Sequence, residues 1–104
     1  MKLQQLRFIL AIAESNLNVT QASQALYTSQ PGVSKQLRLL EDELGIEIFS
    51  RNGRSLVNVT QQGKMVLNKA REIMNSVNEL KQYSKEVTQS PLANRAMNDF
   101  TFCS

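Results

Sequence analysis

The chain has 104 residues, 41% of them hydrophobic and 20% charged, which bounds it to one small domain with room for an appendage. A formal net charge of +3 and a pI of about 9.3 permit an anionic partner without demanding one. With no histidine and a single cysteine, Cys103, neither a metal site, a cofactor, a His-based catalytic pair nor a disulfide framework is expected. No run approaches the roughly 20 apolar residues of a membrane span and the N-terminus lacks an apolar signal core, so a cytoplasmic protein is expected.

Leu3, Leu6, Leu10, Ala13 and Leu17 keep helical spacing, with Ile9 beside them, and predict a first helix ending near Glu14 to Asn16. Asn18 is a turn and cap residue for a second, short helix, with Gln21 in the position of a capping-box partner. Val19, Ala22, Ala25 and Leu26 form that helix's inner stripe, and its small alanines admit a close neighbour.

Tyr27 and Thr28 make a tight connection to a third helix. Ser29 is its expected cap, Pro31 is tolerated in its first turn, and Gly45 is its expected C-terminal cap. Val33, Leu37, Leu40 and Leu44 form one apolar stripe. Pro31, Ser34, Lys35, Arg38 and Asp42 fall on the other side, with Gln30 beside them at the N-terminal end. Taken alone, such a helix also fits an ordinary solvated surface. Glutamine can pair with adenine, lysine and arginine with guanine or phosphate, and serine with either, so the polar face suits a DNA major groove. Two helices joined by a short turn, the second carrying such groups, make a helix-turn-helix pattern.

Ile46-Glu47-Ile48-Phe49-Ser50-Arg51 alternates as a strand, Asn52-Gly53 signals a hairpin, and Leu56-Val57-Asn58-Val59 returns. Arg51 and Arg54 flank the turn, as on a wing that probes phosphate or minor groove. Thr60 then caps a long helix in which Val66, Ala70, Ile73, Val77, Leu80, Ser84 and Val87 alternate by four and three. About 28 residues of helix span ~42 Å, more than a small core covers, so the seam calls for a partner, most simply a second copy. Ser90-Pro91 stops the helix, and residues 90–104 show no apolar periodicity and are expected to be a disordered tail.

Several of these segments resemble the N-terminal DNA-binding domain of the LysR-type transcriptional regulators. The resemblance rests on Thr28-Ser29-Gln30-Pro31-Gly32-Val33-Ser34-Lys35-Gln36, Leu40-Glu41-Asp42-Glu43-Leu44-Gly45, Phe49-Ser50-Arg51 and Val59-Thr60-Gln61-Gln62-Gly63. It covers residues 1 to about 87. Met1-Lys2-Leu3-Gln4-Gln5-Leu6-Arg7 and Tyr27 to Gly32 are similar to the branch of CysB and Cbl, which regulates cysteine biosynthesis and sulfur assimilation.

The resemblance implies a mainly α fold: a winged helix-turn-helix of three helices and a two-stranded wing over residues 1–59, then a long dimerisation helix over 60–89. It implies a sequence-specific regulator that binds double-stranded DNA at an inverted repeat, not an enzyme. The expected DNA-binding residues are Thr28, Ser29, Gln30, Pro31, Ser34, Lys35, Arg38, Arg51 and Arg54. The expected dimer seam is Val66, Ala70, Ile73, Val77, Leu80 and Val87, with higher oligomers left open. Lys35 stands where most of the family carries arginine, which loses the bidentate fork. Residues 90–104 do not match the opening of the family's effector domain, so a shortened regulator without an effector site is expected. The alternative is a dimerisation fragment that modulates a full-length partner.

Overall fold

The computed structural model describes residues 1–53 and 55–89, the side chain of Gln89 excepted. Its elements are α1 (Leu3–Glu14), α2 (Val19–Ala25), α3 (Gln30–Leu44), β1 (Phe49–Asn52), β2 (Ser55–Val59) and α4 (Gln61–Gln89). This is the winged helix-turn-helix followed by a long helix that the residue pattern predicts. The chain divides into two compact units, one of Met1–Met74 and one from Asn75 onward. The first unit thus takes in the opening turns of α4 as well as the winged domain. The predicted tail at 90–104 and the wing residue Arg54 lie outside the described residues.

In the first unit, α1, α2 and α3 pack on one another around Ile9, Ile12, Ala22, Val33 and Leu40, all fully buried. Ile48 and Phe49 close this core from the root of the wing, and Leu67 and Ala70 close it from α4. The inner face of α1 is broader than its predicted stripe. Phe8 and Gln5 are buried with Leu6, Ile9 and Ile12, whereas Leu3 is half exposed. The helix meets neighbours on two sides, so an apolar arc wider than one stripe is covered. After Glu14 the chain turns sharply through Asn16 and Leu17, both at positive φ, and Leu17 remains packed against the core.

In α2 the inner positions are Ala22 and Ser23, and Ala25 is exposed, contrary to its predicted place in the stripe. Ser23 tolerates burial because its hydroxyl donates to the Thr20 carbonyl at 2.7 Å. The predicted cap at Asn18 is present, its side chain accepting from the Gln21 amide at 3.1 Å.

The wing is a two-stranded antiparallel sheet with Phe49 opposite Val59, Ser50 opposite Asn58, Arg51 opposite Leu56 and Asn52 opposite Ser55. Val57 is the extra residue of a bulge between the second and third of these pairs. At the end of β1 Gly53 has φ 65°, a conformation that glycine adopts without strain. The strand starts at Phe49, three residues later than its alternating pattern predicts. The reason is local: the Ile48 amide donates to a side chain of α3 and not to a ladder partner.

Thr60 caps α4 as expected, its Oγ1 accepting from the Gly63 amide at 2.9 Å. The same hydroxyl is directed at the carbonyls of Glu47 and Ile48. One side chain therefore ties the start of α4 to the root of the wing.

Candidate nucleic-acid interface

The face of α3 begins with its cap. Ser29 has extended backbone angles and its Oγ accepts from the Gly32 amide at 3.1 Å. Pro31 lies in the first turn, where its missing N–H costs no helical bond. The space around Gly32 is tight. A Cβ there would meet Thr28 Cγ2 at 3.0 Å and Ser29 Oγ at 3.1 Å, crowding the turn that launches the helix. At the other end Gly45, at φ 73°, donates its amide to the Glu41 carbonyl at 2.8 Å.

Val33, Leu37 and Leu40 anchor α3 in the core as predicted, but Leu44 is exposed. The inner position in that last turn belongs to Glu41, which is buried. Its carboxylate oxygens accept from the Ile48 amide at 2.7 Å, the Phe49 amide at 3.4 Å and Arg51 Nη2 at 2.6 Å. A second polar tie fixes the other end of the domain: Gln36 Oε1 accepts from Gln5 Nε2 at 3.1 Å, joining α3 to α1.

With α3 held by these contacts, Gln30, Pro31, Ser34 and Arg38 line one cleft of about 410 Å³. Val19 at the start of α2 forms one edge, and Arg51, Gly53 and Leu56 of the wing form the other. Among the described residues, the side chains of Gln30, Ser34, Lys35 and Arg38 make no hydrogen bond or ion pair within the chain. They are exposed donors with nothing internal to satisfy them. Lys35 and Arg38 make this part of α3 cationic, whereas Glu41, Asp42 and Glu43 cluster toward its C-terminus. The positive end of the helix dipole adds to the cationic end, so an anion is favoured at the cleft and disfavoured beyond it.

The sequence-predicted residues divide on this geometry. Gln30, Pro31, Ser34, Arg38 and Arg51 come together in the cleft; Lys35 is exposed on the same helix outside its lining. Thr28 and Ser29 serve the backbone: Thr28 Oγ1 donates to the Leu26 carbonyl at 3.1 Å, and Ser29 is the cap. Ser29 keeps its own hydroxyl hydrogen to donate. Arg51 is in the cleft wall, but its guanidinium is engaged with Glu41. Sequence reasoning missed the parts played by Glu41 and Gln36. The available signal for Glu41 was its position four residues after Leu37, on the flank of the apolar stripe.

A second surface of the first unit is apolar. Leu6, Leu44, Val66 and Ile73, with Met1 and Met65, line a shallow groove of about 250 Å³. The predicted seam on α4 is only partly available to a partner. Ala70, at 1% exposure, is spent in the domain's own core, and Val66 packs half-buried beside it. Ile73 is 38% and Leu80 68% exposed, Val77 is half-buried, and Val87 is buried.

Residues 3–64 match the family described as bacterial regulatory helix-turn-helix protein, lysR family. The chain belongs to that family. It is 51% identical over 89 residues to the HTH-type transcriptional regulator CysB of Haemophilus influenzae, covering 86% of this chain and 28% of that relative. It is 44% identical over 81 residues to the regulator Cbl of Escherichia coli, covering 78% of this chain and 26% of Cbl. The expected CysB and Cbl branch is thereby borne out. This lysR-family chain spans little more than a quarter of the length of such relatives. Among solved structures, the BenM DNA-binding domain in complex with catB site 1 DNA superposes with a TM-score of 0.79 at 29% identity, covering 86% of this chain and 99% of that one. The relatives are transcriptional regulators and not enzymes. Among the described residues, no helix is long and apolar enough to cross a membrane, and no group of acidic, histidine or cysteine side chains is placed to hold a metal ion.

Proposed function

We propose that this chain is a sequence-specific DNA-binding regulator that reads an inverted repeat as a homodimer. The observation that carries the reading is the cleft between α3 and the wing, where Gln30, Ser34 and Arg38 stand without internal partners. Gln30 and Ser34 are assigned to base edges, Lys35 to base or phosphate, and Arg38 and Arg54 to the backbone. Thr28, Ser29 and Pro31 form the helix entry beside the first phosphate contacts. The BenM complex supports this reading, since a similar fold there is bound to DNA.

Pairing through α4 is supported by exposed Ile73 and Leu80, and by the apolar groove that the single chain leaves open. Two-fold pairing then sets two half-sites on one duplex. The likeness to CysB and Cbl supports target genes of sulfur and cysteine metabolism. The test is selection of duplexes from a random pool by the purified chain. Recovery of an inverted repeat is the expected result; recovery of no sequence preference would overturn the reading.

The alternative, a fragment that acts by pairing with a full-length relative, is less favoured. Such a fragment has no use for a donor-lined cleft, yet Gln30, Ser34 and Arg38 are all present and unencumbered.

A further inference from the structure

Arg51 belongs to the wing, yet its charge faces inward. Nη2 lies 2.6 Å from Glu41 Oε1, and Nη1 donates to the Phe49 carbonyl at 3.5 Å. The other carboxylate oxygen, Oε2, accepts the amides of Ile48 and Phe49 at the wing root. The Glu41 side chain is 7% exposed and that of Arg51 28%, so water screens this pair poorly. Glu41 is part of α3. One buried carboxylate therefore grips the wing twice, by backbone and by side chain, from the helix that carries Gln30 and Ser34.

A guanidinium whose charge is met by a buried carboxylate offers little net charge to phosphate. We propose that Glu41 is a positioning residue for DNA recognition. It fixes the wing against α3 and withdraws the charge of Arg51 from the nucleic acid. Arg51 is then a strut in the cleft wall and not a phosphate contact. The inference rests on the reading of α3 and the wing as the DNA-contacting surface.

The test uses the whole chain as wild type, E41Q, R51Q and the double variant. Glu41→Gln keeps the shape and an acceptor for the wing amides, and circular dichroism reports whether each variant folds. Affinity is measured on the duplex that the wild type selects from a random pool, and on a scrambled duplex, at several salt concentrations. In E41Q the freed guanidinium should tighten scrambled-duplex binding about threefold and steepen the salt dependence by roughly one per protomer. The preference for the selected duplex falls accordingly. R51Q should leave the salt slope unchanged, and the double variant should return E41Q to the wild-type slope.

A merely structural role predicts something else. If E41Q weakens both duplexes in parallel at constant slope, the proposal is overturned. It is equally overturned if R51Q flattens the slope by one, because Arg51 would then already be spent on phosphate. The clamp is also read without DNA, from the arginine side-chain nitrogen resonances. Those of Arg51 should be resolved in the wild type and averaged in E41Q; averaging in the wild type would refute the clamp. If no duplex emerges from the pool, the DNA reading fails while this second measurement still decides the ion pair.

Discussion

Gly63 in α4 lies so close to Ile48 that a Cβ on it would sit 2.0 Å from the Ile48 carbonyl oxygen. The obstacle is backbone and not a flexible side chain, so the helix itself must move to admit a methyl group. The Ile48 carbonyl also accepts the Thr60 amide at 3.0 Å, so retreat would break a hydrogen bond. Gly63→Ala is expected to destabilise the first unit by about 2–4 kcal/mol, despite alanine's better helix propensity. Urea denaturation followed at 222 nm measures this; a stabilised variant would mean that α4 starts elsewhere.

Ser29→Ala removes the acceptor for the Gly32 amide while leaving the packing of α3 untouched. The expected loss is about 1 kcal/mol of folding stability. Because the change is a lost cap and not a lost cation, the slope of DNA affinity against salt should stay at the wild-type value. A flattened slope would show Ser29 acting with the phosphate contacts.

Along α4, two neighbouring apolar positions should fail in different ways. Ile73→Lys places a charge on an exposed position and should give folded monomers. Ala70→Lys buries a charge in the domain's own core and should unfold the first unit. Sedimentation separates the two outcomes. A dimeric Ile73→Lys variant at micromolar concentration would place the seam on another face.

Gln30→Ala and Arg38→Ala separate base from phosphate contacts. Loss of Gln30 should cost about 1–3 kcal/mol on the selected duplex and little on a scrambled one. Loss of Arg38 should weaken both alike and lower the salt slope by roughly one per protomer. The reverse pattern, measured by fluorescence anisotropy, would reassign base reading away from Gln30.

Caps and apolar spacing made most of the fold legible in the residues. Asn18, Ser29, Thr60 and Gly45 each delimit a helix where their chemistry places the boundary. The site was less legible because polar side chains on α3 have two employers. Arg51 reads as a free wing cation only until Glu41 is known to be buried beneath it. The apolar spacing points Leu44 inward because periodicity does not reveal that Glu41, one residue after Leu40, takes the inner place. Ala70 fits a seam of four-three spacing, but the first turns of α4 are already claimed by the domain. Such competition between intramolecular and intermolecular use is settled by three-dimensional neighbours, which spacing alone does not supply.

Gln36, bonded to Gln5, and Gln30, six positions earlier on the same helix, are chemically identical. The first ties α3 to α1, and the second makes no side-chain hydrogen bond among the described residues. With Gln30 reading bases as proposed, retargeting is expected to be modular in this domain. Positions 30, 34 and 35 can be randomised in a library with little burden on folding, whereas position 36 must be kept constant. A diversified pool built on that division should retain a high fraction of folded members and yield altered half-site preferences by selection alone.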